Sequence, residues 1–208
     1  NVTARMGHPF IKRFCEEREL TIVFLVDVSG SQCFGSNERT KAERSAEITA
    51  LLALSAVQNQ DKVGLVLFSD RIETFVPPRK GRTAVLRLVR EVLAAEETRR
   101  PTDIANAVTF LNSVQKKRAV VIVNSDFLDD GFEKQLRTTA RKHDVICFPV
   151  TDPRESELPP IGLLELEDPE TGDLMLVDSN SAAVRKGLAE QGRAHRERLE
   201  KLFRRLKV

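Results

Sequence analysis

The chain has 208 residues, 41% of them hydrophobic, and a formal net charge of +2. That length and apolar content suit one α/β domain with a sizeable core and exclude a disordered chain, while the near-neutral balance implies no general polyanion partner. Tyr and Trp are absent and Phe is the only aromatic, which argues against a stacking platform for single-stranded nucleic acid.

The chain begins at Asn1 without an initiator Met and ends in a charged helical stretch, as an excerpt of a longer protein would. Residues 8–18 mix charge with alternating apolar positions, among them Phe10 and Phe14, and read as an edge strand or extended lead-in. Residues 20–26, Leu-Thr-Ile-Val-Phe-Leu-Val, are almost all apolar and rich in β-branched side chains, the pattern of a strand buried on both faces of a parallel sheet. After a polar loop, residues 40–58 place Ala42, Ala46, Leu51, Leu54, Ala56 and Val57 in a helical rhythm. Residues 63–68 form a second buried strand, and 71–76 alternate strictly after a Ser69-Asp70 turn, predicting an antiparallel partner that Pro77-Pro78 ends. Helices are expected over 82–96 and from Ile104, then a third apolar strand over 119–123, a helix over 131–143 and a fourth buried strand over 145–150. Two strand-like runs flank Asp168-Pro169-Glu170-Thr171-Gly172-Asp173 and predict a β-hairpin over 162–178. A basic amphipathic helix then runs over 180–207.

Strands alternating with helices predict a Rossmann-like, doubly wound, mostly parallel sheet with one antiparallel edge strand, followed by a C-terminal hairpin and helix, all in a single domain over 1–208. Cys15, Cys33 and Cys147 are odd in number and widely spaced, which suits a reduced, cytoplasmic compartment. His8, His143 and His195 are scattered and make no zinc pattern. No apolar run reaches the ~18 residues of a membrane span, and no signal peptide is visible.

The buried run at 20–26 stops at Asp27, and hydroxyls follow at Ser29 and Ser31. One carboxylate and two hydroxyls on a single loop are ligands of the kind hard cations take, although Asp, Ser and Gly also punctuate ordinary turns and caps. In a doubly wound sheet, ligands bind outside the carboxyl ends of the strands where the winding reverses. The strand at 119–123 also leads to an acid, Asp126, and Thr102 opens the preceding helix, where it also reads as an N-cap. Asp129 and Asp130 fit a helix start.

Asp27-x-Ser29-x-Ser31, a distant Thr102 and a strand-end Asp126 resemble the metal-ion-dependent adhesion site of von Willebrand factor A (vWA) domains, in order and spacing. The Pro-Phe-Ile-Lys-Arg-Phe lead-in, the Glu-Arg-Glu-Leu-Thr before the motif and the hairpin around Glu170-Thr171-Gly172 are similar to a bacterial family of uncharacterised vWA-like proteins, typically encoded beside MoxR-type AAA+ ATPases. The resemblance covers nearly the whole chain, and departs from the family in lacking an upstream β-rich segment and a last strand after Val208. It implies a Mg2+ site, with Mn2+ as a substitute, in which Ser29 and Ser31 bind directly, Thr102 directly or through water, and Asp27 and Asp126 through waters and the ligating hydroxyls. It also implies a non-enzymatic domain that binds an acidic group of a protein partner, with a MoxR-type AAA+ ATPase or its client as that partner, in chaperone-like assembly or maturation.

The main alternative is a Mg2+-dependent phosphohydrolase with Asp27 as nucleophile and Asp126, Asp129 and Asp130 as metal ligands. That chemistry commonly places a carboxyl general acid two residues after the nucleophile, where this chain has Ser29, a poor proton donor at neutral pH. A third reading takes the arginines and lysines between Arg193 and Lys207 as a nucleic-acid or acidic-membrane stripe. Interleaved Glu190, Glu197 and Glu200, and an apolar stripe of Val184, Leu188, Leu199, Leu202 and Leu206, favour a solvated helix face instead.

Overall fold

The computed structural model of the chain describes residues 19–35, 39–95, 98–168 and 172–208. The expected lead-in over 8–18 lies outside them. Strand β1 (Thr21–Asp27) is central, and its apolar side chains alternate between two cores. Val23 and Leu25 join one cluster, while Phe24 and Val26 join the other. This is why the run is apolar at every position rather than at every second one.

Helix α1 (Lys41–Gln58) is opened by a capping box, in which the Thr40 hydroxyl accepts from Glu43 N (3.2 Å) and the Glu43 carboxylate accepts from Thr40 N (3.0 Å). The chain then returns through β2 (Lys62–Phe68), turns into antiparallel β3 (Ile72–Lys80) and continues in α2 (Arg82–Leu93). Helix α3 (Ile104–Val114) precedes β4 (Val120–Ser125), and α4 (Glu133–Lys142) precedes β5 (Asp144–Pro149). The five strands order as β3-β2-β1-β4-β5, all parallel except β3. Helices α1 and α2 pack on one face; α3, α4 and the C-terminal half of α5 (Ala182–Leu206) pack on the other. This is the doubly wound α/β architecture the sequence predicts, and the winding reverses between β1 and β4.

Three expectations need correction. Pro77-Pro78 does not end β3, which continues to Lys80. The strand lies at the sheet edge and its pairing with β2 shifts between Val63 and Leu65, so the missing N–H groups fall at an irregularity. Gly64 sits opposite, and a Cβ there would lie 2.8 Å from Pro78 Cγ, so the close approach requires glycine. Strand β5 is not buried on both faces, because it forms the other edge of the sheet and leaves Ile146 43% exposed. The apolar stripe of α5 is core only in its second half, where Leu199 and Leu202 are buried, whereas Val184 is exposed.

The predicted hairpin is present as β6 (Leu163–Glu167) and β7 (Leu174–Asp178), paired antiparallel as a separate two-stranded sheet. Its base is tied by the Ser179 hydroxyl, which donates to Gly162 O (2.7 Å) and accepts from Ile161 N (3.0 Å). Among the described residues, no helix is long and apolar enough to cross a membrane.

Candidate functional site

Asp27 is the last residue of β1 and is 1% exposed. Its Oδ1 accepts from Ser29 N (3.0 Å), which curls the chain into a tight turn, and its Oδ2 accepts from the Ser125 hydroxyl at the end of β4 (2.6 Å). Both carboxylate oxygens are therefore fixed. Burial pushes the Asp27 carboxyl up from the ordinary 3.8 to about 6, against the opposing pull of the hydrogen bonds from Ser125 and Ser29, with the negative charge of Asp126 adding to the rise.

Beyond Asp27 the loop turns through a 3-10 segment, Gly30–Cys33. Ser29 is fully buried and its Oγ lies 3.1 Å from Ser31 Oγ. The Thr102 hydroxyl, arriving from the loop before α3, donates to Ser29 Oγ at 2.7 Å. Backbone bonds hold this second loop in place, with Gly30 N donating to Arg100 O (3.0 Å) and Asp103 N to Ser69 O (3.0 Å). The N-cap of α3 is Asp103, whose carboxylate accepts from Asn106 N (2.7 Å). Thr102 is thus not the cap that its position also suggested, and its hydroxyl turns into the crevice.

Asp126 follows β4 and is 2% exposed. Its Oδ1 accepts from Leu128 N (3.3 Å), and its Oδ2 accepts from Lys41 Nζ (2.9 Å). The next residue, Phe127, has φ +57°, a left-handed backbone that a bulky aromatic side chain rarely adopts. Phe127 is 1% exposed, and its ring packs on Phe132 and Phe203 at centroid separations of 5.7 and 5.2 Å. This packing holds the unfavourable turn that presents Asp126.

The structure therefore brings Asp27, Ser29, Ser31, Thr102 and Asp126 together at the reversal of the winding. The three hydroxyl oxygens are linked at hydrogen-bond distance, Thr102 to Ser29 at 2.7 Å and Ser29 to Ser31 at 3.1 Å, and neutral and anionic oxygens are the ligands a hard cation takes. The donor set fits a hard cation. Among the described residues no group of three or more His, Cys, Asp and Glu could hold a metal, so a cation here would rest chiefly on hydroxyls. Gln32, on the same loop, is 1% exposed with neither amide atom hydrogen-bonded, beside a cavity of about 280 Å³ lined also by Asp27 and Ser29.

Asp129 and Asp130 point to other tasks. Asp129 accepts from Ile104 N (3.0 Å) at the start of α3, and burial raises its pKa. Asp130 pairs with Arg198 of α5 (2.6 Å). The basic face of α5 is likewise partly engaged, with Arg205 on Glu133 (2.8 Å) and Arg204 on Glu200 (3.5 Å).

The sequence reading missed three residues of the network. Ser125 orients Asp27 across the strand pair. Lys41, 2% exposed at the first position of α1, pairs with Asp126 and with Glu155 of a 3-10 turn after β5 (Pro153–Glu155). Burial would pull the Lys41 ammonium down, but the charges and hydrogen bonds of Asp126 and Glu155 outweigh it and hold it above the usual lysine range. Lys41 did leave a signal, since a cation at a helix N-terminus opposes the helix dipole and calls for an acid nearby.

A family model described as "Protein of unknown function DUF58" matches residues 1–198. The chain is 29% identical over 206 residues to the uncharacterised protein Rv1480 of Mycobacterium tuberculosis, covering 98% of this chain and 65% of that protein. It thus spans about two thirds of that relative's length. Two solved structures share the fold. An aerotolerance-related membrane protein of Bacteroides fragilis superposes with a TM-score of 0.58 at 16% identity, over 84% of this chain and 88% of that one. The conserved hypothetical protein BatB of Bacteroides thetaiotaomicron gives 0.57 at 14% identity, over 90% and 98%.

Proposed function

Because the chain belongs to this DUF58 family of unknown function, we propose a function from its own site: a non-enzymatic, metal-dependent protein-interaction domain of the cytoplasm. The observation that carries the reading is the convergence of three hydroxyls, from Ser29, Ser31 and Thr102, between two buried carboxylates at the crevice. Ser29 and Ser31 would hold Mg2+ directly and Thr102 directly or through water, while Asp27 and Asp126 orient the hydroxyls and bound waters. A bound Mg2+ would supply a positive centre that neutral hydroxyls leave incompletely neutralised, and so a point of attachment for a partner's carboxylate. The proposed partner is a MoxR-type AAA+ ATPase or its client, acting in complex assembly or maturation, and this rests on the family resemblance.

The phosphohydrolase alternative asks Asp27 to attack phosphorus. Both Asp27 oxygens accept hydrogen bonds and the residue is 1% exposed, which weighs against a nucleophile. Turnover of p-nitrophenyl phosphate that disappears in Asp27→Asn would reverse this preference.

The deciding experiment is calorimetric titration of Mg2+ and Mn2+ into the protein beside Asp27→Ala and Ser29→Ala. Binding by the wild type that both substitutions abolish is expected; equal binding by all three refutes the site. Association with a MoxR-type ATPase should require metal and Ser29, and association that survives EDTA and Ser29→Ala unchanged would remove the metal-bridged mechanism.

A further inference from the structure

The metal reading does not use the Lys41 ammonium, although it touches one of the two acids of the site. Among the described residues Lys41 is the only buried lysine or arginine, and its side chain is 2% exposed. It stands at the first position of α1, where the helix dipole repels a cation. A buried ammonium is retained at such a place only when acids surround it. Two do, because Nζ donates to Asp126 Oδ2 at 2.9 Å and to Glu155 Oε1. These partners lie 85 and 114 residues away in sequence, on separate turns at the carboxyl edge of the sheet.

We propose that Lys41 is an internal counter-cation of the site: it competes with a divalent cation for the charge of Asp126, and so makes tight metal occupancy conditional on a carboxylate from outside. The inference rests on the metal-dependent reading above and deepens it. Asp27 and Asp126 bring two negative charges to the crevice, and Lys41 cancels one of them. The three hydroxyls bring none. A divalent cation seated there keeps a net positive charge until a further carboxylate arrives. Glu155 offsets Lys41 only in part, because its side chain is 30% exposed and water screens it. Metal and acidic partner would therefore bind together and each weakly alone, which suits a reversible contact.

The test is Mn2+ titration of the 208-residue chain, read as free Mn2+ by electron paramagnetic resonance, in chloride and in acetate buffer. Lys41→Met should lower the Mn2+ Kd by about tenfold or more, since a unit positive charge beside a divalent ion is removed from a buried site. Glu155→Gln should raise the Kd, because it leaves Lys41 uncompensated. Acetate should tighten binding by the wild type more than by Lys41→Met. A Kd in Lys41→Met equal to or weaker than wild type, with Ser29→Ala abolishing binding, overturns the inference and leaves the metal site standing. No binding by any variant in either buffer overturns both. If Lys41→Met does not fold, Glu155→Gln decides alone, and an unchanged Kd there overturns the inference.

Discussion

Asp27 offers the sharpest test of how this crevice is built. The carboxyl is buried beside Asp126, and its pKa is pushed from 3.8 up to about 6. A folded-state pKa above the unfolded one means that the native protein binds this proton more tightly. The group then contributes stability below about pH 4, and the contribution is lost as the pH rises through about 6. A tenfold change in proton affinity is worth about 1.4 kcal/mol, so keeping Asp27 ionised in the metal-free protein costs about 3 kcal/mol at pH 7.5. Asp27→Asn removes that charge with nearly the same shape. The asparagine oxygen can still accept from Ser29 N, but its amide forces the Ser125 hydroxyl to turn and accept. The loss of the charge-assisted bonds is already inside that figure, because the rise to about 6 is net of the opposing pull of Ser125 and Ser29.

The expected outcome is that Asp27→Asn, in EDTA, is about 3 kcal/mol more stable than the wild type at pH 7.5, with the advantage shrinking to about 1 kcal/mol at pH 4.5. Urea midpoints measured across that range give the difference directly, provided the slopes agree. Adding Mg2+ should reverse the order, because a ligand that binds only the native wild type stabilises it by mass action. Asp27→Asn less stable than the wild type at pH 7.5 in EDTA, or a difference independent of pH, would show that burial is not the dominant influence on Asp27.

Other substitutions probe the neighbourhood. His143 is 2% exposed with neither ring nitrogen hydrogen-bonded, and burial lowers its pKa. Its contribution runs opposite to that of Asp27: stability is held above about pH 6.5 and lost as the pH falls below it, since the unfolded chain takes the proton more readily. His143→Phe should therefore flatten the acid side of a plot of Tm against pH. Thr102→Val removes the hydroxyl that donates to Ser29 Oγ and should weaken Mn2+ binding far more than a substitution on the exposed face of α3. Gly64→Ala should cost about 1–3 kcal/mol through the clash with Pro78; Pro78→Ala should recover much of it, and additive effects in that double-mutant cycle would disprove the contact.

What the sequence reveals here depends on the range of the interactions involved. The continuous apolar run at 20–26 predicts a doubly buried strand because each residue reports its own environment, and both faces of β1 are indeed core. Asp27, Ser29 and Ser31 are legible for the same reason, since a single turn holds them. Pro77-Pro78 misleads because a local rule, no ladder donor from proline, is overridden by the edge position and register shift of β3. The hydrogen bond from Ser125 to Asp27 depends on which strands are neighbours, and no local pattern encodes that.

Lys41 marks the boundary between these two kinds of information. Its partners Asp126 and Glu155 lie on distant loops, so their pairing cannot be read from spacing. The requirement for a partner is local all the same. Thr40 and Glu43 form the capping box that fixes the start of α1, which puts a positive charge in the first turn, against the dipole. A surface lysine would tolerate this at a few tenths of a kcal/mol, but Lys41 is buried, and a buried lysine stays charged only beside a carboxylate. Among the described residues, acids at the carboxyl edge of the sheet reach this helix N-terminus, where Lys41 pairs with Asp126 and Glu155. Asp126, which follows the adjacent strand, is one of them, so a feature that looks like a local fault in α1 marks a buried acid of the crevice.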